Sequence, residues 1–126
     1  MELSELKPVE RVVEIVHPST GEELGIMVTI ISFDDPRMNE VKRRIRVQRL
    51  EHERRGKPFK AEEIDENEMS LLVGCLTGWV WKEDATFHGQ KPDFNEKNIR
   101  EVFKELPWFK KQVEEALADE KGFFQN

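Results

Sequence analysis

Two short stretches near the start of the chain are dense in β-branched residues: positions 11 to 17, Arg-Val-Val-Glu-Ile-Val-His, and 24 to 33, Leu-Gly-Ile-Met-Val-Thr-Ile-Ile-Ser-Phe. Such side chains fit a pleated surface, and the intervening Pro18-Ser19-Thr20-Gly21-Glu22-Glu23 is a turn-forming cluster. The pattern predicts an antiparallel hairpin over residues 11 to 33. An isolated hairpin is marginal in water, so it must pack on helices or pair with another strand. Its free edges are candidate assembly surfaces.

Further on, the apolar rhythm becomes helical. Asp34-Asp35-Pro36 offers a carboxylate N-cap and a proline at the first helical position, which predicts a basic helix over residues 35 to 56. Met38, Val41 and Ile45 share one narrow face of it that continues into Gln48 and His52, while Val47 and Leu50 point elsewhere. A stripe that fades in this way predicts a helix docked at its start and exposed at its end. After Gly56 and Pro58, a second helix is expected from about Ala61 to Gly78, with Ile64, Met69, Leu71, Leu72, Cys75, Leu76 and Trp79 inward. Gly74 and Gly78 would together cost about 2 kcal/mol inside a helix, so either the helix ends near Gly78 or the pair admits a close neighbour. Asn95 is the expected cap of a third helix, with Phe94 and Ile99 as a hydrophobic staple and Val102, Phe103 and Leu106 on its apolar face. Pro107 interrupts, and a last helix carries Phe109, Val113, Ala116 and Leu117 before Gly122, its expected C-terminal cap. The expected fold class is therefore predominantly α-helical (α+β), an N-terminal antiparallel hairpin followed by about four helices. Residues 1 to 126 are expected to form a single domain, with a helical core and tail over 61 to 126.

Composition supports one core, since a chain of 126 residues can bury roughly two-thirds of the surface it exposes unfolded. The charged fraction of 37% matches the hydrophobic fraction, which leaves room for an exposed arm. Charge is unevenly placed: residues 37 to 60 hold ten basic and three acidic side chains, a balance of +7, so the remainder carries −13 to give the net −6. Arg43, Arg46, Arg49 and Arg54 on the basic helix, and Glu62, Glu63 and Glu66 at the acidic start of the next, are the expected self-association residues. No apolar run approaches the roughly 20 residues of a membrane span, and the N-terminal segment lacks the features of a signal peptide, so a cytosolic protein without membrane partners is expected.

Candidate chemistry adds little. His17, His52 and His88 show no zinc-site spacing, no phosphate-cradling glycine loop is present, and the single cysteine, Cys75, lies in an apolar rhythm that predicts a buried thiol. The run Glu62-Glu63-Ile64-Asp65-Glu66-Asn67-Glu68 lacks the central glycine of a calcium loop. No catalytic residue, cofactor or metal is expected, and the chain is read as non-enzymatic. The main rival is a small phage or bacterial regulator binding nucleic acid through residues 37 to 60; the absence of aromatics among those arginines and the acidity of the whole chain count against it.

The aromatics are the expected contact makers. Trp79 and Phe109 fit core positions by helical phase, whereas Trp81, Trp108, Phe123 and Phe124 have weaker internal claims and are the expected partner-binding anchors. The order of pieces from Val12 onward, with Val16-His17-Pro18-Ser19-Thr20-Gly21-Glu22-Glu23, the Gly78-Trp79 pair, the loop entering a helix at Asn95 and the terminal Gly122-Phe123-Phe124-Gln125-Asn126, resembles the tail assembly chaperones of long-tailed (siphovirus-type) bacteriophages. That resemblance implies a homo-oligomer in the host cytoplasm, not kept in the mature virion, that coats the helical tape measure protein and keeps it soluble. It also implies recruitment of tail tube protein by a longer form made through ribosomal frameshifting near the codons for Phe123 and Phe124.

Overall fold

Ile26, Val28 and Ile30 alternate inward along the middle strand of a three-stranded antiparallel sheet. In the computed structural model, which describes residues 1–82 and 84–124, the strands are β1 (Arg11–Val16), β2 (Glu23–Ile30) and β3 (Leu76–Trp81), in that spatial order. Among the described residues the α-helices are α1 (Asn39–Arg55), α2 (Ala61–Gly74), α3 (Glu96–Glu105) and α4 (Pro107–Ala118), and the class is mixed α+β. Val13 faces Val28 and Ile15 faces Ile26 across the hairpin, while Trp79 and Trp81 face Val28 and Ile26 from the other side. These side chains meet Ile99, Val102, Phe103, Phe109, Val113, Leu117 and Phe123 in one apolar cluster on a single face of the sheet. Val12, Glu14, Met27, Thr29 and Val80 occupy the opposite face, where Val12 and Val80 are exposed.

The predicted hairpin forms over residues 11 to 30, short of the expected 33, but the order of a hairpin followed only by helices does not hold. The expected helix from Ala61 to Gly78 stops at Gly74, and residues 76–81 form a strand between α2 and α3. Thr77, Trp79, Val80 and Trp81 are β-branched or aromatic, and the free side of β2 offers them a ladder that a further helical turn containing Gly78 could not match. The helix-to-strand switch is tight: the Ile31 amide donates to the Cys75 carbonyl at 2.8 Å, directly after the helix ends. Gly74 is where a neighbour comes close, since a Cβ there would lie 3.2 Å from the Met38 side chain.

The predicted caps are in place. The Asp35 carboxylate accepts from the Arg37 amide at 2.9 Å, Pro36 opens a 3-10 turn that runs into α1, and Gly56 closes the helix with φ of 67°. Asn95 accepts from the Asn98 amide at 2.8 Å, and Pro107 begins α4. Gly122 has a different role from the expected cap. Helix α4 ends at Ala118, and Arg11 reaches across to donate to the Ala116 carbonyl at 3.1 Å and to Asp119 at 3.3 Å. Gly122 lies directly beneath that guanidinium, where a Cβ would sit 2.4 Å from the Arg11 Nη1, so the arginine rather than the glycine serves the helix end. Cys75 is fully buried beside Met38, and burial pushes its thiol up to about 12.

Candidate interaction surface

Helix α1 is 17 residues long, about 25 Å, and none of its residues is buried. It packs antiparallel against α2 through one side only. At the base of this helical pair, Met38 fills the space above Gly74; at the tip, His52 Nε2 meets Glu63 at 3.0 Å and the His52 ring lies 4.4 Å from Phe59. The seam holds Val41, Ile45 and His52, each half-buried, as the narrow apolar face predicts.

The opposite face of α1 is different in kind. Arg43, Arg46, Val47, Leu50 and Arg54 fall together there by helical phase, and Val47 and Leu50 are 58% and 55% exposed. Arg54 is engaged by Glu51 at 2.6 Å, a carboxylate also held by Arg55 at 3.0 Å and kept below its usual range by the Arg54 hydrogen bond. Arg43, Arg46 and Arg49 have no ion-pair or hydrogen-bond partner among the described residues. The fixed charges at the base of α1 lie elsewhere: Arg37 is clamped between Asp35 at 3.0 Å and Glu10 at 2.9 Å, and that pairing holds the Asp35 carboxyl below its ordinary value.

Of the acidic residues expected to answer those arginines, Glu63 and Glu66 are already occupied. Glu63 takes His52 and the Lys60 amide, and Glu66 pairs with Arg100 at 2.9 Å, which ties α2 to α3. Glu62 is exposed, as are Asp65 and Glu68, and none of the three has a partner among the described residues. The sequence does not single out Glu68; its helical spacing of four from Leu72 is the signal that finds it. Beside Glu68 an open groove of about 390 Å³ runs between α2 and α4. Leu71, Leu72 and Leu117 form its floor, Phe33 closes one end, and Glu68 and Glu114 stand at the rim with Lys110.

The four aromatic anchors divide. Trp81 and Phe123 were expected to face partners, and both are core residues: Trp81 stacks on Phe109 at 6.1 Å and stands edge-on to Trp79 at 5.7 Å, while Phe123 is 1% exposed. The cause is the strand at residues 76–81, whose alternation turns Trp81 inward opposite Ile26, a direction that helical phase does not give. Trp79, assigned to the core from a helical wheel, is half-buried, donates its indole N–H to the Pro92 carbonyl at 3.0 Å and meets Phe94 edge-on at 5.7 Å. Trp108 is half-buried against Phe109, and Phe124 is 49% exposed. Of the terminal motif, Gln125 and Asn126 lie outside the described residues.

The histidines stay apart. His17 Nδ1 accepts from the Ser19 and Thr20 amides within the hairpin turn, His52 belongs to the helical pair, and His88 Nε2 meets Glu105 at 2.7 Å. Among the described residues no group of three His, Cys, Asp or Glu side chains is placed to hold a metal ion. No described helix is long and apolar enough to cross a membrane. Comparison with family models, with curated proteins and with solved structures gives no match to this chain.

Proposed function

We propose that this protein is a non-enzymatic assembly chaperone of a long-tailed bacteriophage, a self-associating chain that binds the tape measure protein in the host cytoplasm and keeps it soluble. In this reading a longer frameshifted form brings tail tube protein to the complex, and none of it remains in the mature virion. The observation that carries the proposal is α1: a helix of 17 residues without a buried side chain that sets Val47 and Leu50 beside Arg43 and Arg46, which have no partner among the described residues. Exposed aliphatic side chains framed by charge suit an amphipathic helical client, because they cover its apolar stripe while remaining hydrated at the rim. The α2–α4 groove is a second apolar surface of the same kind.

The direct test is to dilute a helical tape measure segment from denaturant with and without this protein and to follow light scattering. An equimolar amount is expected to suppress aggregation, and the reading fails if a tenfold excess leaves the scattering unchanged. One observation favours nucleic acid instead: Arg43, Arg46 and Arg49 are free to meet phosphates. Binding to a labelled duplex that falls steeply between 50 and 200 mM salt, without any effect on the client, would select that alternative.

A further inference from the structure

We infer that copies of this chain join head to tail, the outer strip of α1 on one copy seating in the α2–α4 groove of the next. Within one chain the two surfaces cannot meet. The strip of Arg43, Arg46, Val47 and Leu50 lies on the side of α1 turned away from α2, since the α2 contact uses Val41, Ile45 and His52. The groove opens along the Glu68 side of α2, away from the Glu63 and Gly74 side that receives α1.

Shape and charge identify a second copy as the occupant. The floor of Leu71, Leu72 and Leu117 offers apolar cover for Val47 and Leu50, which are spaced three apart as one helical ridge. The carboxylates Glu68 and Glu114 on the groove rim then meet the guanidiniums Arg43 and Arg46, none of which has a partner among the described residues, with Lys110 an opposing charge on the rim. Pairing therefore breaks no contact made among the described residues. Exposed ion pairs are individually weak, and the apolar ridge supplies the remainder of the association. A strip that docks into a different surface makes a heterologous interface, which propagates into a ring or an open helix instead of stopping at a dimer.

The inference rests on the self-associating reading given above, and its test separates the two. Two variants remove one surface each: Arg46→Glu with Leu50→Glu spoils the strip, and Glu68→Lys with Glu114→Lys spoils the groove. All four positions are exposed, and circular dichroism checks that both variants fold. Sedimentation of the native chain should show a mass that climbs with concentration well above the 14.9 kDa protomer. Each variant alone should stay at protomer mass, with association weakened at least tenfold. The equimolar mixture should stop at twice that mass, because one intact strip and one intact groove allow a single junction. A native chain that remains monomeric, a variant that assembles like the native chain, or a mixture that stays monomeric or grows past the dimer would each overturn the inference. Client protection measured on the same variants is a separate readout: if it survives while assembly is absent, the chaperone reading stands and this interface does not.

Discussion

Helices α1 and α3 show two ways in which a helix can exist. Helix α3 has ten residues and buries Ile99, Val102 and Phe103, each worth roughly 1.5 to 3 kcal/mol of transfer free energy; Asn95 at its start only sets where it begins. Helix α1 is longer and has no fully buried residue, so it is held by its ends and one seam: Asp35 and Pro36 before it, Gly56 after it, and His52 against Glu63 and Phe59. Where burial holds a helix, its outer face has little left to do. A helix held by its ends keeps its length available, and in α1 that length carries the free arginines and the exposed Val47 and Leu50.

The largest effect should come from the core side of this comparison. Trp81→Ala removes an indole stacked on Phe109 and should cost about 3 to 5 kcal/mol, read as a fall in melting temperature well beyond that of Trp108→Ala. Equal falls would mean that the strand at residues 76–81 does not turn Trp81 inward. Asp35→Ala should cost about 1 kcal/mol and act locally, speeding amide exchange in α1 while leaving the amides of β2 protected. The pH dependence has a definite sign. The Asp35 carboxyl is held below its ordinary value of 3.8 by hydrogen bonds from Arg37, so its contribution is complete above that value and is lost as pH falls through the lower folded one. Acidification should therefore loosen the start of α1, and an Arg37 amide resonance indifferent to pH between 5 and 2 would contradict the cap. The smallest effect is expected for Leu50→Ser, within about 0.5 kcal/mol, since Leu50 is mostly exposed. A loss of several kcal/mol by chemical denaturation would show that α1 is packed after all.

Features of the chain whose cause is local were legible in advance. Asp35-Pro36, Gly56, Asn95 and Pro107 each mark a helix end through backbone chemistry within a few residues, and the hairpin declares itself by its β-branched runs. The strand at residues 76–81 was missed because its cause is remote. Leu76 and Trp79 satisfy a helical wheel about as well as a strand, and only the open side of β2, about fifty residues earlier, decides between them. The same remoteness hid the assignments that depend on it. Trp81 follows from strand alternation, and Phe123 is buried because the chain end folds back beside β1, not because of its neighbours in sequence. The groove beside Glu68 likewise requires α2 and α4 to be set side by side.

The amide of Val9 donates to the carbonyl of Phe123 at 2.7 Å, and Arg11 spans from β1 to the end of α4 over Gly122. These contacts clasp together the two extremities of the described chain, closing a loop that contains every strand and helix of the sheet and its cover. Such a closure carries the greatest ordering cost of any contact in the molecule and is rewarded only once the intervening pieces are in place. A nascent chain gains it last: until the ribosome lets go of Phe123, the core lacks that ring and Arg11 has no turn to lie upon. The described chain is thereby held beside β1 up to its last turn, at a point set by a clasp that translation itself has to complete.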